Sequence, residues 1–300
     1  MSALSSVVRS DAGSGLAAGL GAFFMWGSLV LYWRPLTGIP ATEILANRVV
    51  WSLATVLPII WYTRRFAEVR AAVRAPGTLL RITASALIIA CNWCLYIWGV
   101  THGHVLESSL GYFINPLVNV LMGFLFLGER PARLQWAAIA LAAGGVLWSV
   151  VSYGHVPWLG LSLALTFSLY GLCRKTVRVE SAPGLFLETV ILTPVALIWL
   201  IVLHVQGLGH LSSADPGATV LLMGSGLVTS VPLLLFAYAA RHMRLMTLGL
   251  LQYLSPTMTF LLGAFVFHET VSPAAMVTFA CIWCALCIYT WSGLRALRPQ

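Results

Sequence analysis

The sequence predicts an all-α membrane protein of ten transmembrane helices in two inverted five-helix repeats, and three observations carry that expectation. Composition is the first: 59% of the 300 residues are hydrophobic and 9% are charged, whereas a soluble domain carries about a quarter of its residues as charges. Most of the surface must therefore meet lipid, and a soluble enzyme is excluded. Second, the apolar residues fall into ten runs, each near the roughly 20 residues a helix needs to cross about 30 Å of hydrocarbon. Third, the chain repeats itself at an offset of about 140 residues.

The runs lie at 15–33, 42–61, 79–100, 107–127, 133–152, 156–173, 184–204, 217–240, 245–267 and 273–292. Spanning barrels are built from alternating strands of about ten residues, so runs of this length are helices. The first run exceeds a signal-peptide core and has no small-residue cleavage site after it, so it is expected to stay in the mature chain. Residues 1–14 read as a flexible cytoplasmic tail and 293–300 as a cytoplasmic C-terminus. With the N-terminus inside, fifteen basic residues fall on the cytoplasmic side: Arg9, Arg64, Arg65, Arg70, Arg74, Arg81, Arg130, Arg133, Arg174, Lys175, Arg178, Arg241, Arg244, Arg295 and Arg298. Arg34 alone falls outside and Arg48 lies within a helix. This asymmetry places both termini in the cytoplasm.

The repeats are 15–152 and 156–292. Pro116 matches Pro256, Glu129 matches Glu269 and Ser85 matches Ser225, while Trp26-Gly27 answers Tyr170-Gly171 and Glu43 answers Glu188. The change of offset between the early and late matches follows from loops of seventeen residues (62–78) and twelve residues (205–216). An odd number of crossings in each half forces the second half to enter from the opposite face.

Polar residues at helical spacing suggest what the bundle encloses. Ser108, Tyr112, Asn115 and Asn119 share one face of the fourth helix, and Gln252, Ser255 and Thr259 answer them in the ninth. Ser85, Asn92 and Tyr96 stripe the third helix, and Ser225, Thr229, Pro232 and Phe236 the eighth. Such stripes either converge on a cavity or hold helices together. Pro116 and Pro256 each free a mid-helix carbonyl, at Tyr112 and Gln252, and broken helices at matched positions point to a transporter's site. A kink used for packing is the alternative. Pro116, Pro232 and Pro256 are thus the candidate hinges. Trp33, Trp61, Trp98, Trp158 and Trp291 read as interfacial anchors, whereas Trp26, Trp93, Tyr96, Tyr112, Tyr170 and Tyr253 lie deeper and could wall a ligand.

Embedded charges are few, and each is costly unless paired or wet. Arg48 is the deepest, set about 140° around its helix from Glu43. It bonds loop carbonyls or an acid from another helix, or it meets a substrate carboxylate. Glu43, Glu107 and Glu188 sit in early helical turns, where a capping role is favoured, and Glu129 and Glu269 sit in tight connections as turn or capping residues. Cys91 and Cys94, and Cys281, Cys284 and Cys287, read as small buried thiols rather than metal ligands. His102 and His104 have no acidic companion for a metal site. Neither a phosphate-binding loop nor a hydrolase motif is visible, so a metal, a cofactor and an enzymatic function are not expected.

The segments TEILANRVVWS (42–52), CNWCLYIWGV (91–100), ESSLGYFINPLVN (107–119), LGER (127–130), YGLCRK (170–175), TSVPLL (229–234), MTLG (246–249), QYLSPT (252–257) and VTFACIW (277–283) together resemble the EamA-type transporters of the drug/metabolite transporter superfamily, in particular their RarD branch. The likeness implies two inverted five-helix repeats in a bacterial inner membrane and export of small metabolites, amino acids or drug-like compounds. Relatives that carry phosphates would need several cations and cation exporters a carboxylate in the first helix; this chain offers only Arg48 and no such acid. A neutral or zwitterionic cargo fits, most of all an amino acid with an apolar side chain, moved by alternating access. The candidate site is Trp26, Arg48, Asn92, Tyr96, Tyr112, Asn115, Gln252, Tyr253 and Ser255. Partners are a small-molecule substrate and membrane lipid, without nucleic acid, and the pattern is compatible with a monomer. A drug exporter of the same fold, a non-transporting receptor and a lipid-handling enzyme are the alternatives.

Overall fold

The computed structural model describes residues 2–101, 104–211, 215–268 and 273–296. Among these the chain is all helix and turn. The helices are α1 (Ser2–Trp33), α2 (Ala41–Tyr62), α3 (Phe66–Arg74), α4 (Thr78–Thr101), α5 (Val105–Phe126), α6 (Arg133–Tyr153), α7 (Trp158–Thr176), α8 (Ser181–Val205), α9 (Pro216–His242), α10 (Leu245–Leu251), α11 (Leu254–Leu261) and α12 (Pro273–Ala296). Eight stretches are long and apolar enough to cross a membrane. In lipid every backbone polar group must be satisfied within its own segment, which is why the apolar runs become helices. The nineteen-residue α7 and α12, whose apolar stretch is Met276–Ser292, pack alongside them.

Three elements depart from expectation. Helix α1 begins at Ser2, so the residues read as a loose tail continue the first helix; Arg9 and Asp11 end its apolar character but nothing in 2–14 breaks its backbone. The 62–78 connection contains α3, which buries Ala72 and packs Val69 against Ile82, Val177, Val179 and Leu187. The ninth apolar run is interrupted at Gln252–Tyr253 between α10 and α11 and ends in a π turn at Leu262–Val266. The break lies one turn before Pro256, where the missing N–H should free a carbonyl; Gln252 O instead accepts from Ser255 N–H at 3.1 Å. By contrast α5 and α9 run unbroken through Pro116 and Pro232, so the matched break expected in the first repeat does not occur. Glu269 and His102 lie outside the described residues.

Helices approach closely where glycine leaves room. A Cβ on Gly226 of α9 would stand 2.1 Å from the Trp51 carbonyl carbon of α2. On Gly111 it would stand 3.0 Å from Gly160 O where α5 crosses α7, and on Gly27 2.7 Å from Ser255 O where α1 crosses α11. Van der Waals contact at such crossings is a main source of cohesion in a bilayer, where lipid removes the hydrophobic drive between helices. Helix α6 pairs with α12, and α2 with both α8 and α9. The cysteines do not form a buried set: Cys91, Cys94, Cys284 and Cys287 are exposed and Cys281 is half-buried. They occupy the outward faces of α4 and α12, because an apolar thiol suits lipid as well as a core.

Charge is concentrated at one end of the bundle, where α7 meets α8. Arg174, expected in a loop, is 1% exposed and lies 3.4 Å from Glu188 Oε1, donating also to Ser181 O at 3.2 Å. Ser85 donates to the same Glu188 oxygen at 2.6 Å and Tyr170 to the other at 3.4 Å. Gly184 accommodates the guanidinium, since a Cβ there would fall 2.2 Å from Arg174 Nη1. Nearby, Glu129 accepts from Leu245 and Met246 N–H at 2.7 and 2.8 Å, capping α10 rather than its own helix. Lys175 caps the far end of α9 through Ala240 O (3.1 Å) and Met243 O, and Arg241 pairs with Glu180 at 2.7 Å.

Two outcomes follow. Gly226→Ala should lower thermal stability in detergent well beyond the helix-propensity effect of about 1 kcal/mol, whereas Gly144→Ala, where a Cβ meets nothing within 4 Å, should be neutral or stabilising. Arg174→Met alone should cost about 3–5 kcal/mol by orphaning Glu188, and Arg174→Met with Glu188→Leu should recover much of it; thermal unfolding of the three proteins measures the difference.

Candidate functional site

The polar stripes of α4 and α5 meet α7 in a small cleft lined by Asn92, Tyr96, Ser108, Gly111, Tyr112, Asn115, Leu163 and Phe167. The lining starts one turn into α5 and extends to within two turns of the end of α4, so the cleft lies toward the α4–α5 end of the bundle. Tyr96 and Tyr112 share a hydrogen bond and their rings meet edge to face at 6.0 Å. Tyr112 is 46% exposed although it sits deep among the helices. Its free surface therefore faces an open hollow rather than the perimeter. Asn92 donates to Leu163 O at 2.9 Å and to Thr166 Oγ1 at 2.8 Å, and Asn115 Oδ1 accepts from Ser168 at 2.9 Å. These two amides fix the cleft wall as much as they decorate it.

Arg48 approaches from α2. Its Nε donates to Thr229 Oγ1 at 3.0 Å, and its guanidinium carbon lies 5.3 Å from the Trp33 ring centroid and 5.1 Å from that of Trp93. It does not join the cleft lining itself, but Trp93, on which its guanidinium lies, is the neighbour in sequence of the lining residue Asn92. No carboxylate pairs with it among the described residues. It is half-buried, and it has no enclosed nitrogen left without a partner.

A second, narrow pocket is bordered by Trp93. It is lined mostly by apolar residues of α2, α4, α8 and α9, with Ser52, Tyr170, Glu188 and Thr189 as its polar groups. Between the two stands an aromatic cluster. Phe167 packs on Trp26 (5.8 Å), Phe236 (5.4 Å) and Tyr170 (6.1 Å), and Trp26 also packs on Phe23 and Phe236. The rings floor the cleft, and the Tyr170–Glu188–Arg174 chain seals the bundle beneath them.

The structure thus brings Asn92, Tyr96, Tyr112 and Asn115 together in one lining, with Trp26 behind it on Phe167 and Arg48 beside it on Trp93. It holds Gln252, Tyr253 and Ser255 apart. Gln252 accepts from Asn119 Nδ2 at 2.8 Å, joining α10 to α5. Tyr253 is fully buried and donates to Phe113 O at 3.1 Å, and Ser255 packs against Gly27. Their stripe binds helices, because the interrupted helix turns it toward α1 and α5. Trp33, read as an interfacial anchor, instead faces Arg48, while Trp61, Trp98, Trp158 and Trp291 are exposed as anchors should be. Of α7, sequence reasoning named Tyr170 alone as a candidate wall residue; Thr166, four residues before it on the same helical face, was the available signal for the rest.

Residues 13–151 match the EamA-like transporter family. The chain is 44% identical to Uncharacterized transporter YojE of Bacillus subtilis over 284 residues, covering 93% of this chain and 94% of that protein. It is 40% identical to Protein RarD of Escherichia coli, covering 95% and 96%, and 31% identical to Chloramphenicol-sensitive protein RarD of Pseudomonas aeruginosa, covering 96% and 97%. A solved crystal structure superposes with a TM-score of 0.73 at 17% identity, covering 96% of this chain and 99% of that one, a likeness of fold. The chain therefore belongs to the EamA-like transporter family, in its RarD branch, whose members are membrane transporters and not enzymes.

Proposed function

We propose that this protein is a bacterial inner-membrane exporter of small neutral or zwitterionic metabolites, most of all amino acids with apolar or aromatic side chains, working by alternating access. The carrying observation is Arg48, a deep cation without a carboxylate partner beside an open, tyrosine-rich cleft that is closed beneath. An embedded charge left unpaired by the protein is retained where it meets water or a ligand. In this reading Arg48 receives the cargo's carboxylate, Asn92, Tyr96, Tyr112 and Asn115 contact the cargo, and Trp26 supports the apolar floor. Gln252, Tyr253 and Ser255 serve packing.

Ten crossings in two inverted repeats are supported by the way helices pair. Exchange of the halves maps α1 onto α7, α2 onto α8, α4 onto α9, α5 onto α10–α11 and α6 onto α12. Under that exchange the α4–α7 contact becomes α9–α1, α5–α7 becomes α1 with α10–α11, and α2–α8, α6–α12 and α5–α10 map onto themselves; each of these contacts is present. The arginine bias assigns the α7–α8 end and both termini to the cytoplasm, so the cleft opens outward and the aromatic cluster with Arg174–Glu188 forms the inner gate. The name of the Pseudomonas relative keeps drug-like compounds as a second reading.

Protein reconstituted in liposomes should move labelled neutral amino acids in a substrate panel run with and without a pH gradient. Saturable binding without movement of any panel member would favour a receptor. Arg48→Gln should reduce transport about tenfold or more, the loss of a charge-assisted contact, with membrane insertion intact. Gln252→Leu should lower stability by about 1–3 kcal/mol and leave the order of substrate preference unchanged.

A further inference from the structure

Charge partners inside the bundle are unevenly distributed. Glu43 is held by His210 through its backbone N–H and by Nδ1 at 2.7 Å. Glu107 accepts from Leu159 N–H at 2.7 Å at the start of α7, and Glu129 holds the start of α10. Glu188 is engaged by Ser85, Tyr170 and Arg174. Every one of these four carboxylates is less than a tenth exposed. None of them lines the outer cleft, whose polar groups are neutral amides and hydroxyls. The cleft lining therefore carries no fixed charge of either sign among the described residues, and Arg48, flanked by Trp33 and Trp93, is the fixed positive charge set beside it.

We infer that the cargo is recognised through its carboxylate alone, so that organic monocarboxylates with an apolar body share this site whether or not they carry an amino group. This rests on the transport reading of the Arg48 cleft and specifies its chemistry. A carboxylate meets a guanidinium flanked by the Trp33 and Trp93 rings, and a charge-assisted pair with it is stronger than a neutral hydrogen bond. An ammonium in the same cleft finds no carboxylate and is repelled by Arg48; it does best by remaining hydrated at the open mouth. In the pocket that Glu188 borders, the acid is already engaged by Ser85, Tyr170 and Arg174, so an ammonium there would have to displace Arg174 from a buried pair.

The test uses four compounds on one carbon skeleton: 3-phenylpropanoate, L-phenylalanine, L-phenylalaninamide and phenethylamine. Each is titrated into the purified protein with tryptophan fluorescence as readout and used to compete with uptake of labelled L-phenylalanine in liposomes. The two carboxylates should bind within about threefold of each other and the two amines at least about tenfold more weakly. Arg48→Gln should level the series, and the wild-type series stands alone if that variant folds poorly. Tight binding of phenylalanine with phenylpropanoate at least tenfold weaker, or amines that match the acids, would overturn the inference and direct attention to Glu188. If none of the four binds while other panel compounds are still transported, the inference falls and the transport reading survives. If no compound is transported at all, that reading falls with it.

Discussion

A guanidinium held inside a membrane-spanning bundle needs either an acid or water, and Arg48 has no acid among the described residues. That constraint organises the α4–α5 end of the protein. Thr229 takes one N–H, two indoles flank the ring plane, and the remaining donors require an open hollow. Tyr96 and Tyr112, whose surfaces face that hollow, complete a site in which a fixed charge is kept ready without being neutralised. Pre-organised donors of this kind contribute affinity because little ordering remains to be done when a ligand arrives.

The opposite end obeys the converse rule. Arg174 is buried more completely than Arg48 and pairs with Glu188 and the Ser181 carbonyl, its Nε alone lacking a partner, while the Ser85 and Tyr170 hydroxyls donate to Glu188. A buried pair adds little net stability over an apolar substitute, but removing one partner is expensive. It therefore suits a closure that must be all or none. The aromatic cluster beside it packs its rings in tilted, edge-to-face and stacked pairs, and its phenylalanine contacts can close and separate without leaving unsatisfied polar groups. The two arginines have opposite environments, one available and one committed, and that difference gives the cleft its direction.

Much of this was legible in the sequence because hydropathy and charge act over whole segments. The helical runs, the stripes of α4 and α5, and the special position of Arg48 follow from composition and spacing. Three features were not legible, and each depends on tertiary geometry. Pro116 and Pro256 are equivalent in sequence, yet only the helix containing Pro256 is interrupted, which turned Gln252, Tyr253 and Ser255 away from the cleft. Arg174 sits at a helix end like the loop arginines around it; only the space left by Gly184 and the position of Glu188 on the next helix make it a core residue. Glu107 and Glu129 cap helices far from them in sequence, a pairing that local rules for helix termini do not anticipate.

The central claim is that Arg48 borders a water-filled hollow reached from the α4–α5 side of the membrane. Side-specific accessibility tests it most directly: Tyr112→Cys, in a chain whose six cysteines are replaced by serine or alanine, is treated with a charged, membrane-impermeant thiol reagent from each face of oriented vesicles. The account expects rapid modification from the α4–α5 face, little from the other, and protection by saturating carboxylate ligand. Protection from both faces in the absence of ligand, or equal modification from each, would contradict it.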